Sequence, residues 1–349
     1  MSALDAMPGF TFGCDPELFV INEEGVYVSA EGLIPGDKQN PYKVPGGAIQ
    51  VDGMAAEFNI DPVTNYKDFS ANINSVLRHL KAHLPKGYAL MPIPSVEFSE
   101  KVWEETPDKA KELGCSPDFN AWTGSFNPPP KNVEKPRLRC AGGHIHVGWT
   151  EDADITEKAH ILNCIELVKQ FDWYLGAWSL RQDADAQRRS LYGSAGACRF
   201  KPYGVEYRTL SNFWLTSSTK REAVWNRMQH AITDMRTRFM PEYVEEYSRA
   251  VKTSTGFDFN KALIESINTS RPDRTLEAHF RFPVVEIGAS FKKIGLNSLN
   301  SLNTISTMSA SALTPMTHAQ GQALAQTLAQ TLQGQAWAPA PAPEGGTSW

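Results

Sequence analysis

Arg188 to Asn212, RRSLYGSAGACRFKPYGVEYRTLSN, sets Arg188, Arg189, Arg199, Lys201 and Arg208 around a single acid, Glu206. Two small-residue turns, Tyr192-Gly193-Ser194 and Pro202-Tyr203-Gly204, break the run. After the second, Gly204-Val-Glu-Tyr-Arg-Thr-Leu reads as a short strand. Strand side chains alternate faces, so Glu206 and Arg208 point one way while Tyr207 and Thr209 point the other. Alone, a Glu and an Arg at this spacing read equally well as a solvated ion pair of little worth. The cations upstream change the weighing. Arginines converging on a glycine-rich bend suit an oligophosphate, with the lone carboxylate placed to hold the accompanying metal.

Three other segments repeat the pattern of polar residues two apart on a strand. Phe10 to Asn22 carries Asp15 and Glu17 between apolar residues, and Pro16 marks it as an edge strand or a bulged one. Acids there are costly to bury unless something cationic meets them; the competing reading of Asp15 is a turn bonded to its own backbone. Glu57 and Asn59 share a face after the Asp52-Gly53 hairpin signal, where a solvated edge is the plainer alternative. In Arg137 to Trp149, RLRCAGGHIHVGW, His144 and His146 alternate with Ile145 and Val147, and Gly142-Gly143 lets backbone approach a ligand or another chain. Two imidazoles on one face suit a metal or phosphate, or else a packed pair.

Amphipathic helices separate these strands. Apolar spacing predicts one over Asn65 to Leu84 and a second from an Asp154 or Thr156 cap to about Arg181. A third spans Thr219 to Phe239, ended by Pro241. His79 and His83 lie at zinc-compatible spacing but read as surface residues. Residues 114–136 have loop composition, with Trp122 and Phe126 as anchors, and suggest a lid or substrate loop. We expect three regions: a catalytic unit over 1–250, a packed extension over 251–308, and a flexible Ala/Gln/Pro-rich tail over 309–349.

With 349 residues the chain can bury a full core. Its net charge of -5 and pI of about 5.9 make the basic run local, which argues against a nucleic-acid partner. Five scattered cysteines, without CxxC or a secretory leader, point to reduced thiols and a cytoplasmic setting. No apolar run is long enough for a bilayer, so no membrane partner is expected. Neither GxxxxGK[ST] nor GxGxxG occurs, which excludes the familiar phosphate loops. The expected class is therefore α+β: a curved, mainly antiparallel sheet backed by helices, its concave face the site. Three acids in oxygen-rich surroundings favour Mg2+ over zinc, and the arginines supply a cradle for a nucleotide triphosphate.

At this point a family comes into view. GCDPELFV resembles the ExE-type first strand of the glutamine synthetase and γ-glutamylcysteine synthetase fold, with Asp15 in place of the first Glu. DGMAAEFNIDP, GGHIHVG and the 188–212 segment resemble the COOH–NH2 ligases (amidoligases) of type 2 found in tailed phages. The resemblance runs over roughly residues 10 to 215. It implies a glutamine-synthetase-like catalytic domain and ATP-dependent joining of a carboxylate to an amine through an acyl phosphate. On it, Asp15, Glu17, Glu57 and Glu206 match metal-binding acids, and His144 and His146 match histidines near metal and β-phosphate, His146 counted with the ligands. Arg189, Arg199 and Arg208 match arginines that contact phosphate or the carboxylate, with Arg188 and Lys201 completing the nucleotide cradle. Partners would be small-molecule or peptide carboxylates and amines, with oligomeric state open, and a phage-encoded chain would work in the host cytoplasm. Three rival readings stand beside it: a guanidino phosphotransferase, a non-catalytic virion-associated protein of the same fold, and a zinc hydrolase.

Overall fold

In the computed structural model of the chain, residues 9–112, 118–128, 135–237 and 258–274 are described. The expected tail, and Pro241 as a helix stop, lie outside them.

The fold is α+β, built on an antiparallel sheet of 11 strands. Its long strand is β1 (Thr11–Ile21). Outward on one side run β5 (Ala55–Ile60), β4 (Gly47–Asp52) and β3 (Tyr42–Val44). On the other run β11 (Gly143–Gly148), β13 (Gly204–Tyr207), β12 (Ala197–Lys201), β8 (Phe119–Asn120) and β9 (Ser125–Phe126). Short strands β2 (Tyr27–Val28) and β6 (Ala89–Met91) pair with the far end of β1. A separate pair, β7 (Ser95–Glu97) and β10 (Leu138–Cys140), forms its own two-stranded sheet, with Val96 clustered with Phe19 of β1.

Pro16 does not make β1 an edge strand. β1 pairs with β11 from Thr11 to Pro16 and with β5 from Glu17 onward. The proline falls where the strand changes its main partner, and the next N–H, from Glu17, bonds Gly142 O at 3.0 Å. A missing donor is harmless at such a changeover, so proline sits mid-sheet.

Alternation gives the sheet two unlike faces. Phe12, Cys14, Leu18, Phe58, Ile60, Ile145, Val147, Val205 and Tyr207 belong to the main core. Over it lie the helices Tyr66–His83, Lys158–Phe171 and Ser218–Thr237. Aromatic rings join the layers: Phe12 meets Trp225 edge-on at 4.9 Å, and Phe171 meets Tyr207 at 5.4 Å. The first helix starts where its cap chemistry places it, with Asn65 Oδ1 accepting from Asp68 N at 3.0 Å. The second begins at Lys158 rather than at the expected cap. Asp154 Oδ1 accepts from Thr156 N at 2.8 Å, which closes a turn before the helix. It also stops early as α-helix and passes through a π-helical turn, Asp172–Gly176.

The expected lid is partly sheet. Phe119 pairs opposite Cys198 and Phe126 opposite Phe119, so these residues extend the antiparallel order by two strands. Trp122 points inward and donates from Nε1 to Asp172 Oδ2 at 2.6 Å. Residues 113–117 and 129–134 lie outside the described set. A further helix, Phe259–Thr269, packs on the sheet unit, with Ala195 N donating to Asn268 Oδ1 at 2.7 Å. Among the described residues no helix is long and apolar enough to cross a membrane.

Candidate functional site

The face opposite the helices collects the chemistry. Strand register puts Gln50 opposite Glu57, Glu57 opposite Glu17, Asp15 opposite His144, His146 opposite Glu206, and Glu206 opposite Arg199. Six strands, drawn from four stretches remote in sequence, thus form one polar row, acidic at the β5 end and cationic at the β12 end.

At its centre stand Asp15, His144 and Glu206, whose ligand atoms lie within 4.8 Å of one another. His146 Nε2 is 2.9 Å from Asp15 Oδ1, and His144 Nδ1 is 3.3 Å from Asp15 and 3.6 Å from Glu206. Lys201 Nζ is 2.9 Å from Glu206 Oε2, and Arg208 donates to Glu206 Oε1. Burial opposes ionisation of Asp15, but His146 and His144 outweigh it and hold the carboxyl well below the usual range. Burial likewise works against Glu206, yet Lys201 and Arg199 pull it down. Two carboxylates held ionised beside an imidazole are a donor set that fits a divalent cation, with His144 as the nitrogen ligand.

Glu17 and Glu57 behave differently. Glu17 Oε2 accepts from Gly142 N at 2.8 Å, and Glu57 Oε2 accepts from Gln50 Nε2 at 2.9 Å. Burial first, then the charge of Asp52, pushes Glu17 up. Burial and the crowd of Asp52, Asp15 and Glu17 push Glu57 well above its ordinary value. Asp52, read from sequence only as a hairpin turn, therefore belongs to the acidic end, where Lys38 Nζ meets it at 2.7 Å. The Gly142 backbone serves the site from within: a Cβ there would lie 2.0 Å from His144 Nε2, so the glycine makes room for the imidazole.

Of the arginines, the structure brings Arg199 and Arg208 to the row and withdraws Arg188 and Arg189. Arg208 Nε is 2.8 Å and Arg199 Nε 3.6 Å from Asp118 Oδ1, a buried acid that sequence reasoning passed over. Arg188 is fully buried and donates to Ala141 O, Thr209 O and Leu210 O at 2.9, 3.0 and 2.7 Å. Its guanidinium is spent on backbone, which corrects its place in the nucleotide cradle. Arg189, also buried, donates to Ser179 Oγ at 2.8 Å and feels the charges of Asp183 and Asp172. That contact lies away from the row, and the Arg189 Nε and Nη1 are buried without a hydrogen-bond partner among the described residues. Both arginines sit on the short helix Ala186–Leu191, capped by Asp185, which turns them inward.

Behind β13 lies a buried acid with no sequence motif. Asp172 Oδ2 accepts from Trp122 Nε1 and Gly196 N, both at 2.6 Å; Oδ1 accepts from Tyr207 OH at 2.7 Å and Thr209 Oγ1 at 3.2 Å. It thereby ties both neighbours of Arg208 to the basic bend. Burial outweighs these donors and raises its carboxyl to about 6. A raised folded value contributes stability that is full below the ordinary carboxylate pKa of ~3.9 and is lost as pH rises through the folded one. Asn at 172 keeps an oxygen for Trp122 and Gly196 and turns its amide to hydroxyls that can accept. Relative to wild type, Asp172→Asn is expected to gain about 2–3 kcal/mol between roughly pH 4 and pH 7. Melting curves across that range would show the gain; a constant difference would contradict it.

Comparison with known proteins finds one family match, over part of the chain. Residues 137–249 match the family described as Phage phiEco32-like COOH.NH2 ligase-type 2. Over that segment, which holds GGHIHVG and the whole basic stretch, the resemblance to the amidoligases is shown. Asp15, Glu17 and Glu57 precede the matched segment and join it through strand pairing. No curated protein matches the chain.

Proposed function

We propose that this protein is an ATP- and Mg2+-dependent ligase that joins a carboxylate to an amine through an acyl phosphate. The observation carrying this reading is the single polar row, with carboxylates at one end, cations at the other and Asp15, His144 and Glu206 between them. Such polarity suits a reaction that brings a polyphosphate to a carboxylate. The matched family's name supports the ligase class.

Asp15, His144 and Glu206 would hold a divalent cation, and Glu17 and Glu57 offer further oxygens toward it. A bound cation would neutralise phosphate charge and draw the two raised carboxyls to ionise. Arg199, Arg208 and Lys201 orient the anionic groups by charge-assisted hydrogen bonds. Transfer of the γ-phosphoryl group to the substrate carboxylate releases ADP and leaves an acyl phosphate. The amine then attacks the acyl carbon, its nitrogen loses a proton, and phosphate departs. Positioning and charge neutralisation carry most of such a transfer, so a protein nucleophile is unnecessary.

Phosphate release from ATP and Mg2+ tests the reading, across pooled amino acids and peptides. Release is expected to need both an amine and a carboxylate. Glu17→Gln should lower it by about 100-fold or more, the scale of a lost charge interaction in the transition state, with the melting temperature retained. Release that ignores the amine, or survives in the variant, would contradict the scheme.

A further inference from the structure

Asp118 stands just before β8, buried at the cationic end of the row, and the ligase reading gives it no task. Its Oδ1 lies 2.8 Å from Arg208 Nε and 3.6 Å from Arg199 Nε. One carboxylate oxygen therefore serves two guanidinium groups, one on β12 and one just past the end of β13. Two like charges held this close repel each other. An acid between them offsets the repulsion and sets their separation.

The β8–β9 hairpin fastens that acid to the basic segment. Asn127 N donates to Asp118 O at 2.7 Å, which closes the hairpin. Phe119 pairs opposite Cys198, and its ring meets Phe126 edge-on at 5.7 Å and Phe200 at 4.7 Å. Ala121 N donates to Gly196 O at 2.9 Å, and Asn127 Nδ2 donates to Ser194 Oγ at 3.2 Å. Behind β13, Trp122 Nε1 donates to Asp172, which also accepts from Tyr207 and Thr209 on either side of Arg208. The hairpin thus grips the basic strands from both faces, with Asp118 in front and Trp122 behind.

An acid among cations can do one of two things. It can occupy an anionic ligand's seat and leave when the ligand arrives, or it can stay and aim the cations. Strand pairing next to Asp118 resists its moving aside. It also meets both arginines at Nε, the nitrogen beside the aliphatic stem, and so orients each planar fork at its root. We propose that Asp118 is a positioning residue that sets Arg199 and Arg208 side by side as a matched pair for the phosphates of a nucleoside triphosphate, and stays in place when they bind. The role rests on the oligophosphate reading of the cationic end.

The sign of one substitution separates this role from simple charge. Asp118→Asn keeps the shape and removes a negative charge, which by charge alone would tighten binding of a polyanion. A positioning acid predicts the reverse, because the two cations spread and no longer match the anion. Calorimetry with the Mg2+ complex of inorganic triphosphate should show binding about 10-fold weaker in Asp118→Asn than in wild type, with native circular dichroism. In an Arg199→Gln background the same change should cost about 2-fold or less, since one of the two cations it aligns is gone. Equal or tighter binding by Asp118→Asn, or an equal loss in both backgrounds, would overturn the proposal. Wild type that binds no triphosphate would remove the oligophosphate reading, and the proposal with it. A measurement on wild type covers a variant that fails to fold. The Arg208 Nε–H, assigned in nitrogen-15 spectra by Arg208→Lys, should stay protected from exchange when triphosphate is added. Loss of that protection would show Asp118 giving up its seat, and would also overturn the proposal.

Discussion

Glu206→Gln is expected to abolish metal binding and to lower ATP-dependent turnover by about 100–1,000-fold, the scale of a lost electrostatic stabiliser of the transition state. Three interactions converge on this carboxylate. Lys201 and Arg208 both reach it, and it stands with Asp15 and His144 as the donor set for a cation. Gln keeps the shape and removes the charge. Arg208 keeps a counter-ion in Asp118, whereas Glu206 is the acid paired with Lys201 among the described contacts. The variant's native fold can be checked by circular dichroism before Mn2+ titration and turnover are measured. Unchanged Mn2+ affinity would contradict the placement of the metal, and unchanged turnover would take Glu206 out of the chemistry.

Arg188→Lys is expected to unfold the site rather than slow its reaction. The guanidinium binds three carbonyls at once, one on the turn before β11 and two just past β13. Those backbone segments carry Gly142, which donates to Glu17, and Arg208. Gly193, at φ +77, packs so closely that a Cβ would lie 2.4 Å from Arg188 Nη1. A lysine ammonium on a flexible stem cannot reproduce the planar fork, so carbonyls are left unpaired in a dry interior. The loss should be about 3–5 kcal/mol, which lowers the melting temperature by roughly 10 °C or more. Arg199→Lys, on a half-exposed arginine at the cationic end, should leave the melting temperature nearly unchanged. Equal melting temperatures for Arg188→Lys and wild type would show that the buried guanidinium does not brace the strands.

Much of the site was legible because strand alternation is local. Asp15 with Glu17, His144 with His146, and Glu206 with Arg208 each declare a shared face by spacing alone, and the sheet sets those faces side by side. What sequence could not show was decided by distant partners. Pro16 reads as an edge marker until β1 is seen to trade β11 for β5 at that residue. The five cations of 188–212 look alike in sequence, but a short helix buries two of them against backbone and Ser179 while β12 and β13 deliver the rest to the row. Asp118 carried no spacing signal, since its partners arrive from β12 and the end of β13. Asp172 offered a faint one: an acid next to Phe171 in the buried stripe of a helix needs donors to meet it, and four do.

The central claim is that ATP activates a carboxylate, and oxygen-18 tracks that step most directly. Protein would be incubated with ATP, Mg2+ and pooled amino acids and peptides whose carboxylates carry the label, and the released phosphate analysed by mass. An acyl phosphate that breaks on amine attack transfers one carboxylate oxygen to phosphate, so labelled phosphate is the expected result. Phosphate released without label would mean that the phosphoryl group had gone to water or to another acceptor, and would contradict ligation through an acyl phosphate.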